Sequence, residues 1–259
     1  VQQAAEKRGL SPKAHCDDLA PRFSNLWKTL EIVHDDFIRT TEERHTRVVQ
    51  AILQQVYEKG DIYQKEYEGL YSVSEERFIT EKEAESGQFR EIKRIQEKNW
   101  FFRMSKYQDQ LIRYIEEHPE FIRPESRKNE MLGFLRQPLG DLCISRPKAR
   151  LSWGIEIPFD KDYVTYVWFD ALINYISAIG YLSDEAKFKR LWPGVHLIGK
   201  DILTTHSVYW TTMLFSLGLP LPENIIAHGW WLSGESKMSK SVGNVVNPLD
   251  LIEKHGVDA

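Results

Sequence analysis

The chain has 259 residues, 42% hydrophobic and 12% aromatic, which is enough for one large domain or two modest ones with a buried core. Its formal net charge of −4 at pH 7 excludes a general attraction to nucleic acid, so any contact with RNA must be local or lie in another part of the protein. Two distant cysteines, Cys16 and Cys143, support neither a disulfide framework nor a zinc cluster. No apolar run is long enough to span a membrane and no signal peptide opens the chain, so we expect a cytoplasmic protein.

The first third of the sequence predicts helices. One helical pattern follows Pro21, and a second runs from about Glu42 to Tyr57. Thr40 or Thr41 is a suitable N-cap for the second helix, and Gly60 is a suitable stop. The apolar positions of the two patterns are Phe23, Leu26, Trp27, Leu30, Val48, Val49, Ile52, Leu53 and Val56.

In the middle of the chain the hydrophobic period shortens toward two. Short strands are predicted between Asp61 and about Thr80, followed by a charged stretch from Glu81 to Lys98. Two amphipathic helices come next, one with Tyr107, Leu111, Tyr114 and Ile115, and one from about Glu125 to Leu135, with prolines between them. We interpret this region as an inserted module.

The last third alternates strands with helices. Tyr163–Phe169 reads as a strand, with Asp170 as the cap of the following helix, and Val195–Gly199 reads as a second strand, with Asp201 as the next cap. Ile225–Gly229 is the third strand. This alternation predicts βαβ units and the α/β class, with a doubly wound parallel sheet.

Ligands of such sheets bind beyond the carboxyl ends of the strands. The predicted crevice therefore gathers Trp168, Asp170, residues 199–201, His228 and Gly229. Gly199 would also allow a ligand to approach the backbone closely.

The stretch Lys237-Met238-Ser239-Lys240-Ser241 follows the last of these strands. It places two ammonium groups three residues apart among small hydroxyl side chains, and such a loop can clamp a polyphosphate. On composition alone, a solvated surface loop with two ordinary lysines explains the stretch equally well.

Several blocks of this sequence, in this order, resemble the methionyl-tRNA synthetase family of the class I aminoacyl-tRNA synthetases. The resemblance extends over essentially the whole chain and is far more specific than the lysine stretch alone. The blocks are residues 36–41, 102–107, 166–171, 197–202, 227–231 and 237–241.

The resemblance implies a Rossmann-like parallel sheet interrupted by an inserted connective-peptide module. Residues 1–60 would complete the first half of the nucleotide-binding fold, 61–150 would be the insertion, 151–236 the second half, and 237–259 the lysine loop with the start of the region that contacts the tRNA stem. The implied reaction uses ATP, Mg²⁺ and methionine to form methionyl-adenylate and pyrophosphate, and then transfers methionine to tRNA(Met).

The resemblance also assigns roles to single residues. Lys240, assisted by Lys237, would act on the ATP phosphates, and Asp201 would hold the ribose unless it is only a helix cap. Core packing is the alternative for Trp168 and Tyr175, and a hydrogen-bonded helix histidine is the alternative for His206. The implied ATP-binding set is Gly199, Asp201, His228, Gly229, Lys237, Ser239, Lys240 and Ser241. The implied methionine-binding set is Trp168, Ala171, Tyr175, Ile202 and His206.

The sequence departs from the family pattern at several places. Thr204 and Thr205 precede His206 where many relatives have an aromatic residue, and Leu172 stands where many have proline. Ser72 and Glu75 occupy positions where the family often has zinc-binding cysteines, so we expect no structural zinc.

The family's His-Ile-Gly-His signature, which contacts ATP phosphates, does not occur in the sequence, and neither does the anticodon-reading helical domain. We therefore expect a fragment that is inactive or weakly active by itself. The alternatives are a non-catalytic nucleotide- or tRNA-binding module of the same fold, and a synthetase for leucine, isoleucine or valine.

Overall fold

The structure is a computed structural model that describes residues 1–72, 77–79, 81–85, 91–233, 236–238 and 243–258. Its amino-terminal part contains α1 (Gln2–Glu6), α2 (Pro12–Thr29) and α3 (Glu43–Glu58). Helix α2 begins well before the predicted position, because Ser11 caps it by accepting the Ala14 N–H at 3.2 Å. Pro21 therefore lies inside this helix and does not begin it.

Helix α3 matches its prediction except at its cap. Its five predicted apolar positions are buried, and Gly60 follows it with φ of +79°. The predicted caps Thr40 and Thr41 are wrong, since Glu42 is the N-cap residue. The Glu42 carboxylate accepts the Arg39 backbone N–H at 3.0 Å, while Arg44 makes two bonds of 2.5 and 2.7 Å to Asp36. These charged contacts, and not a threonine, organise the turn before α3.

The middle region forms a four-stranded sheet with the order β2-β1-β3-β5, in which neighbouring strands are antiparallel. Strand β1 is one strand of 11 residues, and the predicted charged stretch contributes most of its partner β3. The elements are β1 (Ile62–Ser72), β2 (Arg77–Ile79), α4 (Glu81–Glu85), β3 (Ile92–Phe102), α5 (Gln108–Glu117), β4 (Ile122–Arg123), α6 (Glu125–Leu135), β5 (Leu142–Cys143) and β6 (Ser145–Pro147). Both helices predicted here are confirmed as α5 and α6, but only α5 has a clearly amphipathic pattern.

The remaining elements confirm the alternation of strands and helices. They are β7 (Glu156–Ile157), β8 (Asp160–Thr165), α7 (Val167–Ser177), α8 (Glu185–Leu191), β9 (Val195–Gly199), a π-helix (Thr205–Trp210), α9 (Thr211–Leu217), β10 (Asn224–His228), β11 (Leu232–Ser233), β12 (Ser236–Lys237) and α10 (Pro248–His255).

Two predicted caps in this region are wrong. Strand β8 ends at Thr165 and α7 begins at Val167, so Asp170 lies in the first turn of the helix and not at its cap. Asp201 lies in a short 3₁₀ turn, Lys200–Ile202, whose cap position is Gly199. Aromatic and β-branched residues occur in both strands and helices, so the run from Tyr163 to Phe169 did not show where the strand ended.

Strands β4, β10 and β9 form the parallel sheet, in this order, and the α/β class is confirmed. The sequence also predicted β8 as a strand of this sheet, and that prediction is wrong, since β8 pairs antiparallel with β6 and β7 in a separate sheet. Strand β4 comes from the range predicted as an insertion, so residues 61–150 do not form a single separate sheet unit. The boundaries at 60, 150 and 236 otherwise stay predictions. None of the described helices is long and apolar enough to cross a bilayer.

The buried carboxylate of Asp61 joins the middle region to the carboxyl-terminal part of the chain. It accepts bonds from Lys106 Nζ at 2.6 Å, from Ser216 Oγ at 2.8 Å and from the Tyr107 hydroxyl. Burial by itself raises the pKa of Asp61, but these three donors outweigh it and the pKa lies below its usual value. Asp61 is therefore charged inside the protein and holds three distant segments together.

We expect Asp61→Ala to lower the free energy of unfolding by about 2–3 kcal/mol. This is less than the loss for a fully buried ion pair, because the Lys106 side chain is half-exposed and can turn to water. Urea denaturation measures the change, with Glu185→Ala as the control, since Glu185 pairs with Lys189 on the exposed surface, where an ion pair contributes little to stability. Equal losses for the two variants would contradict a structural role for Asp61.

Candidate active site

Gly199, Asp201 and His228 meet at the carboxyl ends of the two longer parallel strands. Gly199 and His228 are register partners at the ends of β9 and β10. A Cβ atom added to Gly199 would lie 2.7 Å from Asp201 Oδ1 and 3.7 Å from His228 Cε1. The backbone angles of Gly199 are ordinary for any residue, so the requirement for glycine is steric. An exposed carboxylate and an exposed imidazole thus flank a bare stretch of backbone.

Two further contacts shape this edge of the sheet. Nδ1 of His228 donates to the Gly229 carbonyl at 2.7 Å, because a carbonyl oxygen can only accept. The Lys200 ammonium lies 3.6 Å from the centre of the Trp230 ring, which is cation–π distance. Lys200 follows Gly199 in the chain and His228 is its register partner, so a cation and an exposed imidazole belong to the edge where an anionic ligand can approach the backbone.

A second group of residues forms a partly buried wall beside the sheet. Tyr175 on α7 bonds to Nε2 of His206 at 2.8 Å, and Nδ1 of His206 bonds to the Ile202 carbonyl at 2.8 Å. Since the carbonyl only accepts, Nδ1 of His206 carries the proton, and the Tyr175 hydroxyl donates to Nε2. Burial lowers the pKa of His206 and raises that of Tyr175, so both side chains are neutral near pH 7.

The other predicted residues of the methionine set lie around this pair. Trp168 and Ala171 precede Tyr175 by seven and four residues on α7, which places the three on one face of the helix. The Trp168 ring meets His206 edge to face, with a centroid distance of 6.4 Å. Trp168, Ala171, Tyr175 and Ile202 are half-buried and His206 is buried. This half-exposed aromatic wall is compatible with both interpretations of the sequence, a ligand pocket and core packing.

Asp170 does not belong to the crevice in which the sequence placed it. Its carboxylate bonds to Nε2 of His45 at 2.6 Å, and Nδ1 of His45 bonds to Ser177 Oγ at 2.8 Å. His45 is fully buried on α3, so this triad fastens α3 to α7. Asp170 therefore supports the helix that carries Trp168 and Tyr175.

Sequence reasoning missed two buried histidines, His45 and His196. The helical spacing of α3 places His45 beside Val48, Val49 and Ile52, and the period-two pattern of β9 places His196 on the same face as Ile198. A polar residue on a buried face needs a partner, and that requirement is the signal that could have identified both.

The lysine stretch is only partly described. Lys237 lies in β12, where its backbone pairs with Leu232, and the Met238 N–H donates to the Trp231 carbonyl at 2.9 Å. Ser239, Lys240 and Ser241 lie outside the described residues. The assignment of these residues to ATP stays a prediction.

The zinc question also stays a prediction. Among the residues that the structure describes, no group of three or more His, Cys, Asp and Glu side chains is placed to hold a metal ion. Ser72 is buried at the end of β1, and Glu75 lies outside the described residues.

Comparison with known proteins identifies the class to which this sheet and crevice belong. The family model described as "tRNA synthetases class I (M)" matches residues 1–94 and 86–259. Among curated proteins, the chain is 51% identical over 267 residues to a methionine–tRNA ligase of Fusobacterium nucleatum. It is 48% identical over 265 residues to a methionine–tRNA ligase of Caldanaerobacter subterraneus. The alignments cover 100% of this chain but only 42% and 41% of these relatives.

Solved structures agree with this result. The chain is similar to Mycobacterium tuberculosis methionyl-tRNA synthetase bound by methionyl-adenylate, with a TM-score of 0.92, 40% identity and coverage of 100% of this chain and 52% of that one. The free form of the same synthetase gives a TM-score of 0.82 at 36% identity, with 95% and 50% coverage. The chain belongs to the class I methionyl-tRNA synthetase family, and it spans about half or less of the length of these relatives.

We expect Tyr175→Phe to lower the free energy of unfolding by about 1–3 kcal/mol, because it leaves the buried Nε2 of His206 without a donor. Urea denaturation measures this loss. The control is Tyr57→Phe, at a partly exposed tyrosine whose ring stacks on Phe159, where we expect a change within about 0.5 kcal/mol. An equally small change for Tyr175→Phe would show that the hydroxyl does not bond to His206.

Proposed function

We propose that this chain is a part of a methionine–tRNA ligase. The whole protein would activate methionine with ATP and then transfer the methionyl group to tRNA(Met). The observation that carries the proposal is the meeting of Gly199, Asp201 and His228 at the strand ends, beside the Tyr175–His206 wall, in a chain of this family. The bound methionyl-adenylate named for the similar M. tuberculosis structure supports methionine and ATP as the substrates.

In the first step, a methionine carboxylate oxygen attacks the α-phosphorus of ATP while the bond to the pyrophosphate oxygen breaks. Negative charge moves onto the departing pyrophosphate, and catalysis consists mainly of in-line positioning and of cations near that charge. We assign this role to Lys240, assisted by Lys237, with Ser239 and Ser241 as hydrogen-bond donors. Lysines on flexible stems can follow the pyrophosphate as it leaves.

The groups at the strand ends suit the rest of the nucleotide. The exposed Asp201 carboxylate can accept hydrogen bonds from ribose hydroxyls, and the bare backbone at Gly199 lets the nucleoside approach. His228 and Gly229, at the end of β10, complete this side of the site. We treat Mg²⁺ as part of the ATP substrate, since Mg²⁺ in nucleotide sites is commonly held by the phosphates.

The wall formed by Trp168, Tyr175 and His206 suits the methionine side chain. Its thioether is apolar and polarisable and accepts only weak hydrogen bonds, so aromatic contacts worth about 0.3–1.5 kcal/mol recognise it better than a charged group would. Ala171 and Ile202 add small and aliphatic surface. Neutral Tyr175 and His206 present no charge that the thioether would have to desolvate.

The remaining assignments rest on the family. We propose tRNA(Met) as the macromolecular partner of the whole protein and the cytoplasm, where aminoacyl-tRNA is used, as its location. We keep the four ranges 1–60, 61–150, 151–236 and 237–259 as its functional division, and we propose that no structural zinc is bound near Ser72.

The central test is methionine-dependent exchange of pyrophosphate into ATP by the full-length protein. We expect Lys240→Ala to reduce the exchange rate at least about 30-fold, which corresponds to a loss of about 2 kcal/mol of transition-state stabilisation. Lys189→Ala is the matched control, because the Lys189 side chain is exposed and pairs only with Glu185 among the described ion pairs.

Three results would contradict the proposal. They are exchange that is unchanged in Lys240→Ala, exchange that prefers isoleucine to methionine, and the absence of any amino-acid-dependent exchange, which would indicate a non-catalytic module.

Gly199→Ala tests the nucleotide side of the site separately. The added Cβ would lie 2.7 Å from Asp201 Oδ1, so Asp201 must move, and we expect KM for ATP to rise at least about tenfold with KM for methionine within about twofold. Gly133→Ala is the control, because nothing lies within 4 Å of its Cβ position and alanine is the better helix former. A rise in both KM values would indicate a general disturbance of the fold.

A further inference from the structure

His196 lies directly behind the Tyr175–His206 wall. The Tyr175 ring stacks on the His196 ring with a centroid distance of 4.0 Å and an angle of 29° between the planes. His196 is buried on the inner face of β9, three residues before Gly199 at the end of the same strand. His196 therefore shares a strand with Gly199 and also contacts the Tyr175–His206 wall.

The His196 ring is held from more than one direction. Trp210 Nε1 donates to His196 Nε2 at 3.1 Å, and the Trp192 ring lies 6.0 Å away. Because an indole N–H can only donate, Nε2 of His196 must be unprotonated. Burial, and then the neighbouring His206, lower the pKa of His196 to about 3, so the ring is neutral. A neutral imidazole with its edge fixed presents a flat face to Tyr175.

This arrangement matters because the Tyr175 hydroxyl has one hydrogen and one buried acceptor. The Tyr175 hydroxyl lies on the axis of the Cβ–Cγ bond, so it leaves His206 only when the whole ring swings about the Cα–Cβ bond. A neighbour stacked on the face of the ring blocks a swing toward that side. The Tyr175 side chain is only half-buried, and the stack on the buried His196 ring supports its inner side.

We propose that His196 is a positioning residue for methionine recognition, which holds the Tyr175 ring by stacking so that its hydroxyl stays on His206. The inference rests on the proposed function, since it assigns the wall to methionine. His196 does not touch the ligand in this proposal. The competing explanation is that His196 only satisfies the buried indole N–H of Trp210.

Two substitutions separate these explanations. His196→Phe keeps a flat ring against Tyr175 but removes the acceptor for Trp210. His196→Gln keeps an oxygen acceptor but removes the ring. If stacking is the function, KM for methionine in the exchange reaction of the full-length protein rises about tenfold in His196→Gln and stays within about threefold in His196→Phe, with KM for ATP within about twofold in both. If only the acceptor matters, His196→Phe is the more damaged variant.

The chain contains a matched control. His118 stacks on Tyr114 with the same centroid distance of 4.0 Å, on the surface at the end of α5. His118→Gln therefore breaks an equivalent stack away from the site, and both KM values should stay at their wild-type level. A rise of KM for methionine in this variant would show that loss of any such stack disturbs the enzyme, and it would overturn the assignment of His196.

A crystal structure of full-length His196→Gln provides a further test that requires neither enzyme activity nor a folded His196→Phe variant. We expect the distance from Tyr175 Oη to His206 Nε2 to increase beyond hydrogen-bond range from its present 2.8 Å. A distance that stays at 2.8 Å overturns the positioning role. Wild-type protein without methionine-dependent exchange would instead refute the proposed function, while the structure would still decide whether His196 positions Tyr175.

Discussion

Strands β9 and β10 run parallel and in register from Val195 and Asn224 to Gly199 and His228. This pairing brings two segments about 30 residues apart to one edge, so the chain after each strand leaves the sheet at the same place. The edge remains open to a ligand because Gly199 has no side chain there. The positions of Asp201, His228 and the start of the lysine stretch all depend on this one pairing.

Helix α7 carries the other half of the site, and buried polar groups hold it. The His45–Asp170–Ser177 triad fastens it to α3, and the bond from Tyr175 to His206 fastens it to the π-helix after β9. Directional bonds of this kind hold a helix in one register, whereas apolar packing alone tolerates small shifts. These bonds are the physical source of the rigidity that the proposed methionine pocket would need.

Much of the fold followed from local patterns. The buried stripe of α3 and the strand β9 both match the sequence interpretation. The errors occur where two local signals compete. Asp170 and Asp201 follow apolar runs and look like caps, but Asp170 bonds to His45, 125 residues away, and Asp201 turns toward Gly199.

The sequence by itself determined the family and the order of its motifs, because these features are local and can be recognised without the fold. It also proposed the residues of the candidate site, and those assignments stay predictions. Only the tertiary structure decided the partners of His45, Asp61 and His196, which lie on other elements. A polar residue on a buried face needs a hydrogen-bond partner, and the sequence pattern can indicate that need. The partner lies on another element, so only the folded structure identifies it. Periodicity shows which face of an element is buried, and it carries no information about what that face meets.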